Sequence, residues 1–363
     1  MLHPYADLPP ERFWRTGVAQ DWQSTLDTVY DKRFSIHPSD VIVTAGSCFA
    51  QHITRELKQH SFALLDLEPA PEGLPVEQHE RYGYSLYSAR YGNIYTPKQL
   101  VQLTAEAFGR RPMRVLPWQR GDHWVDALRP SIEPDGFCSI AELTAHRRHH
   151  LDCVRDCLER MDVFIFTLGL TEAWRDRVTG SVLPVAPGVV AGEYDPKAVR
   201  FVNFGIRQTL KALERFLRLL KEHRPSRDCP RVLLTVSPVP LTATATDRHV
   251  LAATMESKAV LRVAAAELRR RHPNVDYFPS FEIVQHPAAR PQFFDANLRS
   301  VSALGVRTVM DCFLRHHPPS QPVGVEPPRG AASTELSTQT SIELSTEQAL
   351  ICEEELLDRP ADG

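Results

Sequence analysis

The chain has 363 residues, with 42 Lys and Arg against 45 Asp and Glu, and is 42% hydrophobic, 24% charged and 8% aromatic, the balance of an ordinary soluble globular protein. A formal charge of −3 excludes nucleic-acid binding driven by bulk positive charge, and no run approaches the roughly 18 apolar residues that a membrane-spanning helix needs. The total conceals a split: residues 318–363 hold two basic and nine acidic residues, a charge of −7, which leaves +4 on the first 317.

The first stretch, MLHPYADLPPERFW, is polar and Pro-broken, so no secretory signal is expected. The seven cysteines (48, 138, 153, 157, 229, 312 and 352) are odd in number and scattered. They fit the reduced thiols of a cytoplasmic protein better than a disulfide framework. Four apolar, β-rich runs follow in order: VIVTAGSC (41–48), VFIFTLGL (163–170), RVLLTVSP (231–238) and VDYFPSFE (275–282). Continuous apolar runs of this length suit strands of a parallel sheet buried on both faces.

Helical periodicity lies between them. After Asn203, a suitable N-cap, Ile206, Leu210, Leu213, Leu217 and Leu220 form one stripe. Further helices are predicted at 255–271 and 303–315. The alternation predicts an α/β fold, a doubly wound and mostly parallel sheet in a three-layer sandwich, as one domain over 1–317. Within it, residues 61–160 are broken by Pro, Gly, Tyr and His. They are read as an insertion with one further strand and an irregular subdomain at the sheet's edge. Residues 318–363 are rich in Pro, Ser, Thr and acid, which predicts a disordered tail with a short helix in QALICEEELL. The functional reading of that tail is docking of a protein partner; the bland one is a solvated appendage.

In such sheets ligands sit outside the carboxyl ends of the strands. The first run ends in Gly46-Ser47-Cys48-Phe49-Ala50 and then turns helical through Phe49, Ile53 and Leu57. Strand, glycine turn, serine and helix would place the Ser47 hydroxyl at a helix N-terminus, where free N–H groups can stabilise an oxyanion. Ser47 as a plain N-cap is the alternative. Cys48 is a rival nucleophile, but the next residue points about 100° away around the helix.

The string Gly46-Ser47-Cys48-Phe49-Ala50 resembles the motif of the GSCFA family, whose fold is similar to SGNH/GDSL-type esterases. Four further segments resemble the same family in order: Arg90-Tyr91-Gly92-Asn93-Ile94-Tyr95, the stretch from Phe166 to Trp174, Ser237-Pro238-Val239, and Tyr277-Phe278-Pro279-Ser280. The resemblance implies a serine nucleophile after the first strand, which is Ser47. It also implies an oxyanion hole shared by the serine's N–H, a glycine and an asparagine, for which Gly92 and Asn93 are the candidates, and a closing Asp-x-x-His. A turn is the alternative reading of Gly92 and Asn93. Glu172, after the second run, could orient a base, bind a substrate hydroxyl or simply start a helix.

The closing motif departs from the family: Asn297 and Ser300 stand where Asp and His are expected. A serine hydroxyl is too weak a base near neutral pH to replace the imidazole. The replacement proposed from sequence is His249, in the loop after the third run, with Asp247 or Asp295 holding its tautomer. His286 and His37 are weaker candidates. The run from His146 to Cys157 has metal-type residues on one helical face but matches no common zinc spacing, so no metal is expected. Arg269-Arg270-Arg271 closes a helix, and without a Walker loop or Gly-x-Gly-x-x-Gly no cofactor is expected.

The expected function is that of a serine esterase or O-acyltransferase on acyl esters. The resemblance implies a bacterial polysaccharide or other glycan as substrate. The alternative is a non-catalytic module that binds a saccharide or a partner.

Overall fold

The computed structural model describes residues 3–20, 22–224, 228–287, 289, 292–319 and 352–358. After α1 (Trp22–Thr28), β1 (Ile42–Gly46) and α2 (Ala50–Gln59), the insertion carries α3 (Val76–His79), α4 (Pro97–Ala107), a hairpin of β2 (Pro117–Arg120) and β3 (His123–Asp126), and α5 (Ile140–Arg160). Next come β4 (Val163–Leu168), β5 (Glu172–Asp176), β6 (Val182–Leu183) and β7 (Val199–Asn203). The chain continues through α6 (Ile206–His223), β8 (Arg231–Val236), α7 (Val250–Arg271), β9 (Val275–Phe278), α8 (Ser280–Gln285) and α9 (Ala303–His316).

The four apolar runs form the central sheet, in the order β1-β4-β8-β9 with every pairing parallel. Alternate residues face opposite layers, as the pleat requires. Val43, Phe164, Phe166, Val232 and Leu234 pack with Leu100, Leu151, Phe216 and Leu261 of α4–α7. Ile42, Val163, Ile165 and Leu233 pack with Ile53, Ile283 and Phe313 of α2, α8 and α9. On the other side of β1, Leu64 makes a single parallel bridge to Ile42. The chain therefore visits one flank of β1 before crossing to β4 on the other. That reversal makes the carboxyl end of β1 the topological switch point, where an open α/β sheet forms its ligand crevice.

Three local readings differ. The N-cap of α6 is Gly205, and Asn203 is the last residue of β7. Residues 172–203, unassigned from sequence, form a small antiparallel sheet in the order β6-β5-β7, too short and too polar to show periodicity. The insertion holds a hairpin and the long α5 rather than one strand, and buried charges pin it. Arg129 pairs with Asp126 at 2.9 Å and Arg147 with Glu106 at 2.8 Å, and Glu68 is hydrogen-bonded to the His150 ring at 2.6 Å. Of the tail, 320–351 and 359–363 lie outside the described residues. The short helix read near its end is a 3-10 turn, Glu353–Asp358, and it packs on the body.

Candidate active site

Gly46 ends β1 with φ at +145°, and a Cβ there would lie 2.6 Å from the Thr167 carbonyl oxygen. Only glycine fits both the backbone and the neighbour. Ser47 follows, but α2 begins at Ala50 with Phe49 as its N-cap and no side-chain cap bond. Ser47 is thus not a helix cap. Its N–H, expected in an oxyanion hole, donates to Thr167 O at 3.1 Å. Its hydroxyl is 2% exposed and has no hydrogen-bond partner among the described residues. A buried hydroxyl in that state costs about 1–3 kcal/mol, a cost that calls for an explanation beyond folding.

The segment 92–95 is strapped across the end of β1, with Ile94 N–H donating to Gly46 O at 2.8 Å. Gly92 has φ +65° and lies against Arg129 and Ser131. Asn93 is buried, and its amide orientation is fixed from behind. Tyr87 Oη lies 2.6 Å from Asn93 Oδ1 and 3.1 Å from Ser47 O, so its single proton goes to the nearer amide oxygen. Gln51 Nε2 donates to Asn93 Oδ1 at 3.4 Å and to Tyr87 Oη at 3.3 Å. With Oδ1 occupied, Nδ2 must face the cleft as a donor. Burial holds the Tyr87 phenol well above its ordinary pKa, so it stays protonated.

Opposite this wall, a Cβ on Gly169 would stand 2.8 Å from Ser47 Cβ and 3.1 Å from Tyr95 O. The carbonyl of Gly169 accepts from Lys258 Nζ at 2.8 Å. Lys258 is buried in α7, and burial lowers its pKa to about 7, against the opposing pull of Glu354. Sequence reasoning missed this residue. The available signal was a lysine three and seven residues before Leu261 and Ala265, on the buried stripe of α7.

The other candidates are placed apart. His249 is the exposed N-cap of α7, and its Nδ1 accepts from Leu251 N–H at 3.1 Å; Asp247 is exposed beside it. Nothing joins His249 to the Ser47 hydroxyl, which has no bonded partner among the described residues. Asp295 is exposed too, its N–H donating to Ser300 O. Asn297 accepts from the N–H groups of Arg299 and Ser300, each at 2.9 Å, and donates to Ser300 Oγ at 2.9 Å. The two residues standing for Asp and His therefore build a turn. That turn presents Arg299, 8% exposed, to the C-terminal segment. Glu172 accepts from Thr244 Oγ1 at 2.8 Å, and burial raises its pKa. It lines a cavity of about 160 Å³ with Trp174, Leu241, Glu354 and Leu357. Cys48 is buried beside Cys352, and its thiol is held well above its ordinary pKa by that neighbour and by burial. From the histidine- and cysteine-rich run, His150 serves Glu68 and the Cys157 thiol donates to Ser88 O at 3.4 Å.

No helix among the described residues is long and apolar enough to cross a membrane. No curated protein matches the chain. Among solved structures it is similar to the Clostridium thermocellum family 3 carbohydrate esterase, at 9% identity over 77% of this chain and 94% of that one, with a TM-score of 0.29. The model of the GSCFA family matches residues 41–313, from the start of β1 through most of α9 and so across every element of the cleft except the C-terminal turn. On that match, the chain belongs to the GSCFA family.

Proposed function

We propose that this protein is a serine esterase or O-acyltransferase of SGNH type, acting on an acyl ester of a bacterial polysaccharide or other glycan. One observation carries the chemistry. A buried serine hydroxyl with no structural role stands at the switch point of the sheet, with the Asn93 amide turned into the same cleft. The glycan rests on the family resemblance.

In this reading Ser47 Oγ attacks the acyl carbonyl and its proton passes to the neutral amine of Lys258. A buried lysine with a pKa near 7 is the base that a serine–lysine pair requires. Asn93 Nδ2 and the Gly92 N–H hold the tetrahedral oxyanion, and the Ser47 N–H would join them on leaving Thr167 O. The Lys258 ammonium then protonates the departing alkoxide. Water or a sugar hydroxyl accepts the acyl group in the second half-reaction. In this reading Lys258 takes the role that the sequence suggested for His249, with Asp247 or Asp295 behind it: its amine is bonded to the carbonyl of Gly169, the glycine packed against Ser47, and must turn from that carbonyl to the Ser47 hydroxyl to take the proton. The cytoplasmic setting rests on the odd number and scatter of the seven cysteines in the sequence.

A second reading, a saccharide- or partner-binding module, is favoured by the loss of the closing histidine and by the fact that the cleft's donors already hold a carboxylate of this chain. Fluorophosphonate labelling separates the two. Stoichiometric modification that Ser47→Ala abolishes supports the enzyme. A protein that stays inert with its cleft open, yet retains glycan binding, supports the module.

A further inference from the structure

The chain's own C-terminal turn packs onto the 93–95 strap that crosses the end of β1 next to Ser47. Glu353 is 3% exposed. Its Oε2 accepts from Asn93 Nδ2 at 2.5 Å and Tyr95 Oη at 2.7 Å, and its Oε1 from Ser131 Oγ at 2.6 Å. Both carboxylate oxygens are thus met by donors that belong to the body, one of them the amide assigned to the oxyanion. On either side, Cys352 Sγ lies 3.5 Å from Arg299 Nη2 and 3.6 Å from Tyr95 Oη. Arg299 reaches Glu354 at 3.5 Å and Glu355 at 3.2 Å. Leu357 continues the contact into the cavity with Trp174 and Leu241.

We propose that Asn93, Tyr95, Ser131 and Arg299 form a carboxylate-recognition site whose resident ligand is the Cys352–Glu355 turn, so that this protein carries its own plug for the Ser47 cleft. Three features carry it. A carboxylate removed from water is stable only where donors replace its hydration, and three charge-assisted bonds at 2.5–2.7 Å do so. The donors come from two separate parts of the insertion, 93–95 and 131, so the site is a property of the body and not of the tail. Asn297 and Ser300 build the turn that presents Arg299, a free position of the motif, to the acidic residues of the plug. Tethering then gives the turn a high effective concentration that a free ligand must overcome. The proposal rests on the esterase reading only in taking Ser47 as what is occluded.

The test uses the full chain and its own thiols. Iodoacetamide modification is followed by mass spectrometry, with exposed Cys138 and Cys229 as internal standards. Cys352 is expected to react at least tenfold more slowly than either standard, and Glu353→Lys to bring it up to their rate, with the melting temperature of the body unchanged within a few degrees. Equal rates at Cys352, Cys138 and Cys229 in the unmodified chain overturn the proposal, as does undiminished protection in Glu353→Lys. Fluorophosphonate labelling of Ser47 should rise at least tenfold in the same variant. If Cys352 is protected and then released by Glu353→Lys while Ser47 stays inert in both proteins, the plug stands and the esterase reading fails.

Discussion

Gly169 and Ser47 are in such close contact that no side chain can be added between them: a β-carbon on Gly169 would stand 2.8 Å from the β-carbon of Ser47. Backbone on the other side leaves no room to retreat, since Tyr95 O would lie at 3.1 Å. Gly169→Ala must therefore push Ser47 or the 92–95 strap out of place. A destabilisation of about 1–3 kcal/mol is expected from the overpacking. Labelling of Ser47 should fall by about 10²-fold, because misplacement by ~1 Å is enough to do so. Urea unfolding and labelling rates on the same sample check both.

Tyr87 spans the gap between the Ser47 carbonyl and the Asn93 amide. Tyr87→Phe removes the donor to Asn93 Oδ1 while keeping the ring in its buried slot. A loss of about 1–2 kcal/mol in stability is expected. The rate at Ser47 should fall by about 10- to 100-fold, since one oxyanion donor loses its fixed aim. A variant with the full labelling rate would show that the Tyr87 hydroxyl does not set the aim of the amide.

Lys258 sets the expected pH profile. A pKa lowered to about 7 by burial means that the amine is mostly charged below that value and mostly neutral above it. Labelling of Ser47 should therefore rise through pH 6–8 and then level off. Lys258→Met, similar in volume, should lose about 10²-fold or more and flatten the profile. His249→Ala should leave both rate and profile intact, because its imidazole caps α7 at the surface.

The buried charge network of the insertion makes a separate prediction for acid. Burial lowers His150 from 6.5 to about 4, while Glu68 opposes the shift. The folded chain keeps this ring neutral in a range where the unfolded chain protonates it. Stability is thus retained above pH 6.5, falls as the pH drops from about 6.5 to about 4, and takes no further loss from this group below that. On the order of 2–3 kcal/mol is at stake. Urea midpoints across pH 4–7 for the unmodified chain and for His150→Gln should converge toward the acid end.

The sequence by itself determined the sheet and the glycine turn that carries Ser47. The four runs beginning near Val41, Val163, Arg231 and Val275 are apolar on both faces because both faces of a central parallel strand are covered, and that double burial is readable in one dimension. Gly46 before Ser47 is readable for the same kind of reason, as a local backbone requirement. Most of the residues around Ser47 were not readable from composition or periodicity, since they come from segments with no periodic pattern and from far along the chain. Asn93 is named only through the family resemblance; Tyr87 belongs to the broken insertion, Lys258 to a helix 211 residues after the serine, and Glu353 to a tail read as a solvated appendage or a docking segment for another protein. A lysine or glutamate in sequence carries the expectation of water around it. Only the tertiary structure decides otherwise, by burying Lys258 against the Gly169 carbonyl and by bringing Asn93, Tyr95 and Ser131 to one carboxylate, so that hydrogen bonds replace the hydration that composition alone assumes.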